Sequence, residues 1–500
     1  MRKNSGGEKR DKVSARDAAL YVLSVSLASF QIPSTVIPAA DSGPKMDKSR
    51  ASEHERVPNR PAPRAEVLLQ QSFQKYSLDH RDRRLTTELV YGVIRNLISL
   101  DHSLSFYIKE PQKVQPELRN ILRLAAYQLL YLDKIPARAA VDEAVKQAKK
   151  SAGKGGRGGS HESKGAGGPG GFVNAVLRNM LREPGKVKFP DPADKPVDYL
   201  SLKLSFPKWL AKRWIKHFGF DEATALMEAA NSRPPLVLRA QRPRADGDTL
   251  AGLFNKEGLE TGPGRYAPDA LIVNSHGPVP EMPGYDEGLF SVQDEAAQLV
   301  SLLAGPKPGE FVLDACAAPG GKSAHLFSLS GGLAHIVSVD ISLDKIKLLK
   351  ENSLRMKIGN ILPVRADAAG PLPFKIKFDR VLLDAPCTAL GIIRRRPEIK
   401  YTRKPADIAR MAHLQLSMLE NVSGLVAPGG ALVYSVCSTE PEEGEGVMEK
   451  FLSLHPEFEL DDPLPLLPEA ARVLVKDKFI RTFPHLHGTD GFFMARMVCR

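Results

Sequence analysis

The stretch from Phe311 to Leu326, FVLDACAAPGGKSAHL, decides how the chain is read. An apolar run ends on Asp314; small residues follow, then Pro319, Gly320, Gly321 and Lys322, and then a helical pattern. That is a strand, a tight glycine turn and the N-terminus of a helix, where a ligand can approach the backbone closely. Three ligand classes use such a turn. A phosphate-cradling loop needs G-x-x-x-x-G-K-[ST]; Gly321-Lys322-Ser323 supplies its end, but its first glycine would fall on Cys316. The dinucleotide pattern G-x-G-x-x-G is absent here. The third class is S-adenosylmethionine, whose methionine and ribose lie along such a turn without a pyrophosphate to wrap. Asp340 lies 20 residues beyond Gly320 and closes the next apolar run, HIVSVD. A carboxylate at that strand tip can accept both ribose hydroxyls, so the spacing favours S-adenosylmethionine over another nucleotide.

Five hundred residues exceed one core and predict two or three domains. With 42% hydrophobic and 26% charged residues the chain is expected to pack. A net charge of +12 suits a polyanionic partner without identifying one. The four cysteines, Cys316, Cys387, Cys437 and Cys499, show no C-x-x-C spacing, which argues against a metal site and for a reducing compartment. No run of 18 apolar residues exists, and Ser14-Ala-Arg-Asp17 reads as a helix cap rather than the flank of a signal peptide. A cytoplasmic monomer that engages no membrane is expected.

Outward from the glycine turn, strands at 310–314, 335–340, 361–365, 378–384, 430–437 and 491–498 alternate with helical patterns. This predicts an α/β fold over 291–500, a mostly parallel, doubly wound sheet with ligand sites at the strand C-termini. Before it, 196–290 reads as a small α+β module, with strands LVLRAQ and LIVNS around a helix DTLAGLFNKEGL. Its tryptophans, in FPKWLAKRWIKHFG, read as core rather than base-stacking platforms. Residues 14–184 place apolar side chains at i, i+3, i+4 and i+7 and predict an all-α bundle. Two loops interrupt it: 31–63, rich in proline and charge, and 151–171, with ten glycines in 21 residues. Residues 1–13 read as a disordered tail. Between Lys146 and Arg182 there are eight Lys/Arg and one acid, either a solvated basic face or an RNA contact.

The chemistry-bearing residues fall at the ends of two strands. FDRVLLD delivers Asp384-Ala385-Pro386-Cys387-Thr388, and ALVYSVCST delivers Cys437. A single buried cysteine is commonly just a small hydrophobe. Two at neighbouring strand ends beside a nucleotide-type turn argue for chemistry. Carbon 5 of cytosine is too weak a nucleophile to attack a methyl sulfonium. A thiolate added at carbon 6 makes carbon 5 enamine-like, and the thiolate is eliminated after methyl transfer. A hydrogen bond near ring N3 assists addition, and Asp384 is placed to provide it.

CAAPGGK at 316–322, VDIS at 339–342, DAPCTALGIIRRRPEIK at 384–400, YSVCST at 434–439 and DGFFMARM at 490–497 together resemble the Sun/RsmB group of RNA cytosine-5 methyltransferases. LRLAAYQLLYL and GFVNAVLR resemble the NusB-like RNA-binding bundle of its bacterial members. The resemblance implies a Rossmann-like S-adenosylmethionine-dependent methyltransferase that forms 5-methylcytosine in small-subunit (16S) ribosomal RNA. It implies Cys437 as nucleophile and Cys387 in release of the product, with Asp384 and Lys322 completing the catalytic set. It implies a cofactor site of Cys316, Ala317, Ala318, Pro319, Gly320, Gly321, Lys322, Asp340, Asp367 and Asp384, with Cys316 a packing residue there. The Arg394-Arg395-Arg396 run is expected to contact phosphates.

Some positions depart from the family pattern. Thr388 stands for a serine, Gly444 for an asparagine near a helix start, Ala366 for a glycine before Asp367, and Tyr401 for a tryptophan. The same chemistry on transfer or large-subunit RNA, and a non-catalytic assembly factor that keeps the fold, are the alternatives; loss of either thiol or of Asp340 would have favoured the latter.

Overall fold

The computed structural model describes residues 13–28, 30, 65–154, 168–274 and 277–500. The expected tail up to residue 12, the insert 31–63 and the middle of the glycine stretch, 155–167, lie outside them. The chain divides into two units: residues up to Met227 with Arg396–Thr402, and Glu228–Arg395 with Arg403–Arg500.

The first unit is helical. Ser14 caps its opening helix, Ala15–Leu27, by accepting from the Asp17 amide at 3.2 Å. Helices Ala65–Tyr76, His80–Arg95, Leu97–Ser105, Pro116–Tyr131, Ala137–Lys154 and Pro169–Arg182 follow. Their apolar stripes meet in one core that includes Val22, Leu23, Leu89, Val93, Ile121, Leu122, Val173 and Leu177, all buried. Gly92 permits a close crossing, because a Cβ there would enter the ring of Tyr127. The apolar spacing runs unbroken through RRLTTELVYGVIRNLISLDHSLSFYI, but the helix breaks at Asn96, whose φ of −109° and ψ of 18° leave the helical region. Residues 151–154 prolong one helix, and Pro169 starts the next at its first turn, where a missing N–H costs nothing.

Helices Pro196–Lys203 and Lys208–Phe218 belong to this first unit. The latter is amphipathic and buries Leu210, Ala211 and Trp214, the Trp214 ring lying 5.6 Å from Phe206. Trp209 is half-buried. Residues Arg396–Thr402 join them. Tyr401 donates to the Ile94 carbonyl at 2.9 Å and stacks on Phe30, and Lys400 donates to the Arg95 carbonyl at 2.7 Å. A phenol in the place of an indole thus keeps both a ring contact and a polar anchor.

The second unit carries two sheets. Strands β1 (Leu236–Ala240), β2 (Thr261–Pro263), β3 (Ala270–Val273) and β4 (Phe290–Val292) pair antiparallel in the order β2-β3-β1-β4. The helix Gly247–Lys256 covers this sheet with Leu250 and Phe254, both buried. β4 closes this sheet, Ser291 pairing with Arg239 of β1.

Strands β5 (Phe311–Asp314), β6 (His335–Asp340), β7 (Ile361–Arg365), β8 (Phe378–Asp384) and β9 (Val426–Val436) run parallel in the order β9-β8-β5-β6-β7. β13 (Phe492–Cys499) pairs antiparallel with β9, and β10 (Phe458–Leu460), β11 (Val475–Lys476) and β12 (Phe479–Thr482) extend that edge. The chain reverses its direction of travel across the sheet between β5 and β8. That is the switch point, where a crevice opens beyond the strand C-termini. β10, β11 and β12 had no sequence signal, being two to four residues long. Among the described residues no helix is long and apolar enough to cross a membrane.

Candidate active site

β5 ends at the switch point on Asp314, which is fully buried. One of its oxygens accepts from Ser323 Oγ at 2.6 Å, and Ser323 in turn accepts from Ser338 Oγ at 2.8 Å; the other oxygen has no partner. Burial pushes the Asp314 carboxyl up to about 6 against the pull of Ser323. Between Asp314 and the helix Gly321–Leu329 the chain turns through Ala315–Gly320, with the Ala317 amide on the Val339 carbonyl at 2.8 Å. Gly320 takes a φ of 101°, a left-handed conformation that a side chain would strain, and Gly321 faces open space where a Cβ would meet nothing within 4 Å.

Lys322 leaves the first helical turn and donates to Asp384 at 2.6 Å, and Ser435 Oγ holds the other Asp384 oxygen at 2.7 Å. Burial alone would lower the Lys322 ammonium. The charge and hydrogen bond of Asp384, with Asp314 and the Cys437 sulfur adding to them, outweigh it and hold the pKa above the usual lysine value. Asp384, expected near the ring together with Lys322, is one half of an ion pair with it, so the positive donor of the site is Lys322.

The two thiols meet. β8 and β9 are parallel neighbours with Asp384 opposite Ser435, so the chains leaving them carry Cys387 Sγ and Cys437 Sγ to 3.3 Å. The bond to Cys437, followed by burial, pushes the Cys387 thiol well above its usual range. Cys437 is more open than Cys387.

The remaining expected residues are dispersed. Asp340 is buried at the tip of β6, accepting from the Ser342 amide at 3.0 Å and from Lys345 at 3.3 Å. Asp367 stands exposed beyond β7, and its carboxylate accepts from the Ala369 amide two residues on, at 3.0 Å. Cys316 is half-buried in the turn, its thiol pushed up by burial, and Cys499 lies on β13 away from the crevice. The arginine run is paired with carboxylates of the chain itself. Arg394 and Arg395 both bond Asp490 and Asp294, at 2.6 to 3.3 Å, and Arg396 pairs with Glu398. For Arg394 and Arg395 the neutralising carboxylates lie about a hundred residues away, which no local pattern could signal. Gly444 is explained by packing: a Cβ there would lie 2.9 Å from the Phe493 ring. Two groups were missed by the sequence reading, Ser435 on Asp384 and the buried Glu443, which bonds the loops of both cysteines.

A parallel sheet reversed at β5 and β8, with a glycine turn and paired thiols at its C-terminal edge, defines a Rossmann-like methyltransferase. The family model described as 16S rRNA methyltransferase RsmB/F matches residues 301–498, that of the NusB family matches 57–182, and that of an RsmF/B-like ferredoxin-like domain matches 206–280. The chain belongs to the RsmB/F family of rRNA methyltransferases. The Bacillus subtilis (strain 168) protein named "Probable ribosomal RNA small subunit methyltransferase B" is 41% identical over 434 residues, 86% of this chain and 94% of that one. Ribosomal RNA small subunit methyltransferase B of Pseudomonas putida is 34% identical over 427 residues, 84% of this chain and 91% of that one. The crystal structure of PH0851 superposes with a TM-score of 0.71 at 25% identity, covering 97% of this chain and 99% of that one.

Proposed function

We propose that this protein methylates carbon 5 of a cytosine in small-subunit ribosomal RNA from S-adenosylmethionine, through an adduct between Cys437 and carbon 6. The observation that carries this reading is the pair of thiols 3.3 Å apart beside the Lys322–Asp384 ion pair. A single Pro-Cys thiol would suit a different nucleophile; two side by side suit one that attacks and one that helps it leave.

The residues present fit the cofactor. The open backbone at Gly321, the unpartnered oxygen of buried Asp314 and the carboxylate of Asp340 offer a polar cradle at the switch point. The turn Cys316–Lys322 with Asp340 and Asp384 would hold it, and Asp367 would border it. When bound, the cofactor supplies an electrophilic methyl group.

The protein's own part follows from its charges. Cys437, its thiol proton given up to solvent, adds to carbon 6 as the thiolate, and the ring electrons move towards N3 and O2, where the Lys322 ammonium, kept charged by Asp384, stabilises them. Carbon 5 then takes the methyl group. For release, the carbon 5 proton passes to the Cys387 sulfur as the Cys387 proton passes to Cys437. The carbon–hydrogen electrons restore the ring double bond and the carbon–sulfur pair returns to Cys437, so both thiols end protonated. A cytoplasmic site of action accords with an RNA substrate and with free thiols. Transfer of labelled methyl from S-adenosylmethionine to unmodified small-subunit rRNA, with the product mapped by bisulfite sequencing, tests the reading. Methylation confined to transfer or large-subunit RNA, or to an atom other than carbon 5, would overturn it.

A further inference from the structure

We propose that Glu443 is the positioning residue that sets the spacing of the two thiols; this rests on the reading of Cys437 and Cys387 above. Glu443 is fully buried just before the helix Glu445–Leu454, and among the described residues its carboxylate hydrogen-bonds to neither sulfur. Its carboxylate instead takes the residue that follows each cysteine. Oε1 accepts from the Thr388 amide at 2.8 Å and from Gln415 Nε2 at 3.0 Å. Oε2 accepts from Ser438 Oγ at 2.5 Å and from Thr388 Oγ1. Thr388 follows Cys387 and Ser438 follows Cys437, so one carboxylate joins the two loops on which the thiols ride.

The same group is anchored from behind. Tyr434 donates to the Glu443 carbonyl at 2.6 Å, and Gln415 Nε2 also reaches the Pro386 carbonyl at 2.9 Å. Tyr434 lies on β9 and Gln415 on the helix Pro405–Ser423, so Glu443 is fixed to the sheet through its backbone and to the covering layer through its carboxylate. Burying a carboxylate is costly unless both oxygens are fully hydrogen-bonded, and here each takes two donors. Ordinary packing could fill the space without a charge. What an apolar side chain could not do is bind two loops at once and hold their sulfurs at 3.3 Å.

The test is single-turnover methylation of unmodified rRNA, with cofactor affinity measured separately by calorimetry. Glu443→Ala is expected to lower the rate at saturating RNA and cofactor about a hundredfold, the scale of an ångström-sized misplacement, with cofactor Kd unchanged. Glu443→Gln should recover most of that loss: its oxygen keeps the two nitrogen donors, while the hydroxyls of Thr388 and Ser438 can turn to accept from its NH2. A Glu443→Ala rate within about threefold of wild type, or a parallel loss of rate and cofactor affinity, would overturn the proposal. Should Glu443→Ala fail to fold, Thr388→Val and Ser438→Ala each cut one link, and unchanged rates in both would overturn it. Cys437→Ala is the control for the underlying reading. If that variant still methylates, the thiol assignment itself is wrong; if it is inactive while Glu443→Ala is unimpaired, only the positioning role fails.

Discussion

Replacing Cys387 by alanine removes one sulfur of the 3.3 Å pair and leaves the Lys322–Asp384 ion pair intact. The bond to Cys437 and burial push the Cys387 thiol well above its usual range, which suits Cys387 to holding and passing on a proton, and Cys437 is the more open sulfur. Removing a group that serves in proton transfer costs about 10²–10⁴-fold in the step it serves, or about 3–5 kcal/mol of barrier. Here that step is elimination, after the methyl has moved. Cys387→Ala should therefore complete one methyl transfer per enzyme and then stall, with RNA bonded to Cys437. Denaturing gel electrophoresis with labelled RNA would show a slow band for Cys387→Ala and none for Cys437→Ala, which should also be inactive. The reversed pattern would refute the reasoning and assign the nucleophile to the Pro-Cys thiol.

Asp340→Ala should weaken S-adenosylmethionine binding by about 1–3 kcal/mol, because ribose hydroxyls would lose a buried acceptor; an unchanged Kd in calorimetry would remove Asp340 from the site. The carboxyl of Asp314 is raised from its ordinary 3.8 to about 6 in the folded protein, so its contribution to stability is full below about pH 4 and is lost as pH rises through 6. Relative to wild type, Asp314→Asn should therefore gain about 3 kcal/mol between pH 4 and 7, at 1.36 kcal/mol per pKa unit; urea unfolding curves that keep a constant offset across that range would contradict it. Lys149 and Lys150 are exposed on the helix Ala137–Lys154. Replacing both with glutamine should flatten the log–log salt dependence of RNA affinity by about 0.7 for each RNA phosphate these lysines neutralise while leaving cofactor affinity alone, and an identical slope would leave them facing solvent only.

Local pattern was enough for the elements that build the crevice. The six strands anticipated from apolar runs lie within a few residues of β5 to β9 and β13, because a buried parallel strand bounded by glycine and proline has a strong signature. The glycine turn was legible for a related reason: only Gly320 can adopt its φ of 101° without strain. The bundle helices showed in their 3.6-residue spacing, but the break at Asn96 did not, since the apolar spacing continues across it.

Charge was the part least legible in advance. Arg394 to Arg396 looked like a phosphate-binding run until Asp294, Asp490 and Glu398 arrived to neutralise them, two of these from about a hundred residues away. Asp384 and Lys322 could each be read as site residues, but their direct pairing across 62 residues could not. The amino-acid sequence by itself determined that a strand, a glycine turn, an acid at the next strand tip and two cysteines at strand ends all exist, because each is specified by neighbours along the chain. Tertiary structure alone decided that β8 lies between β5 and β9. That order brings Lys322 onto Asp384, Cys387 against Cys437, and Glu443 between their loops, because strand order is set by long-range packing of whole layers and no short segment encodes it.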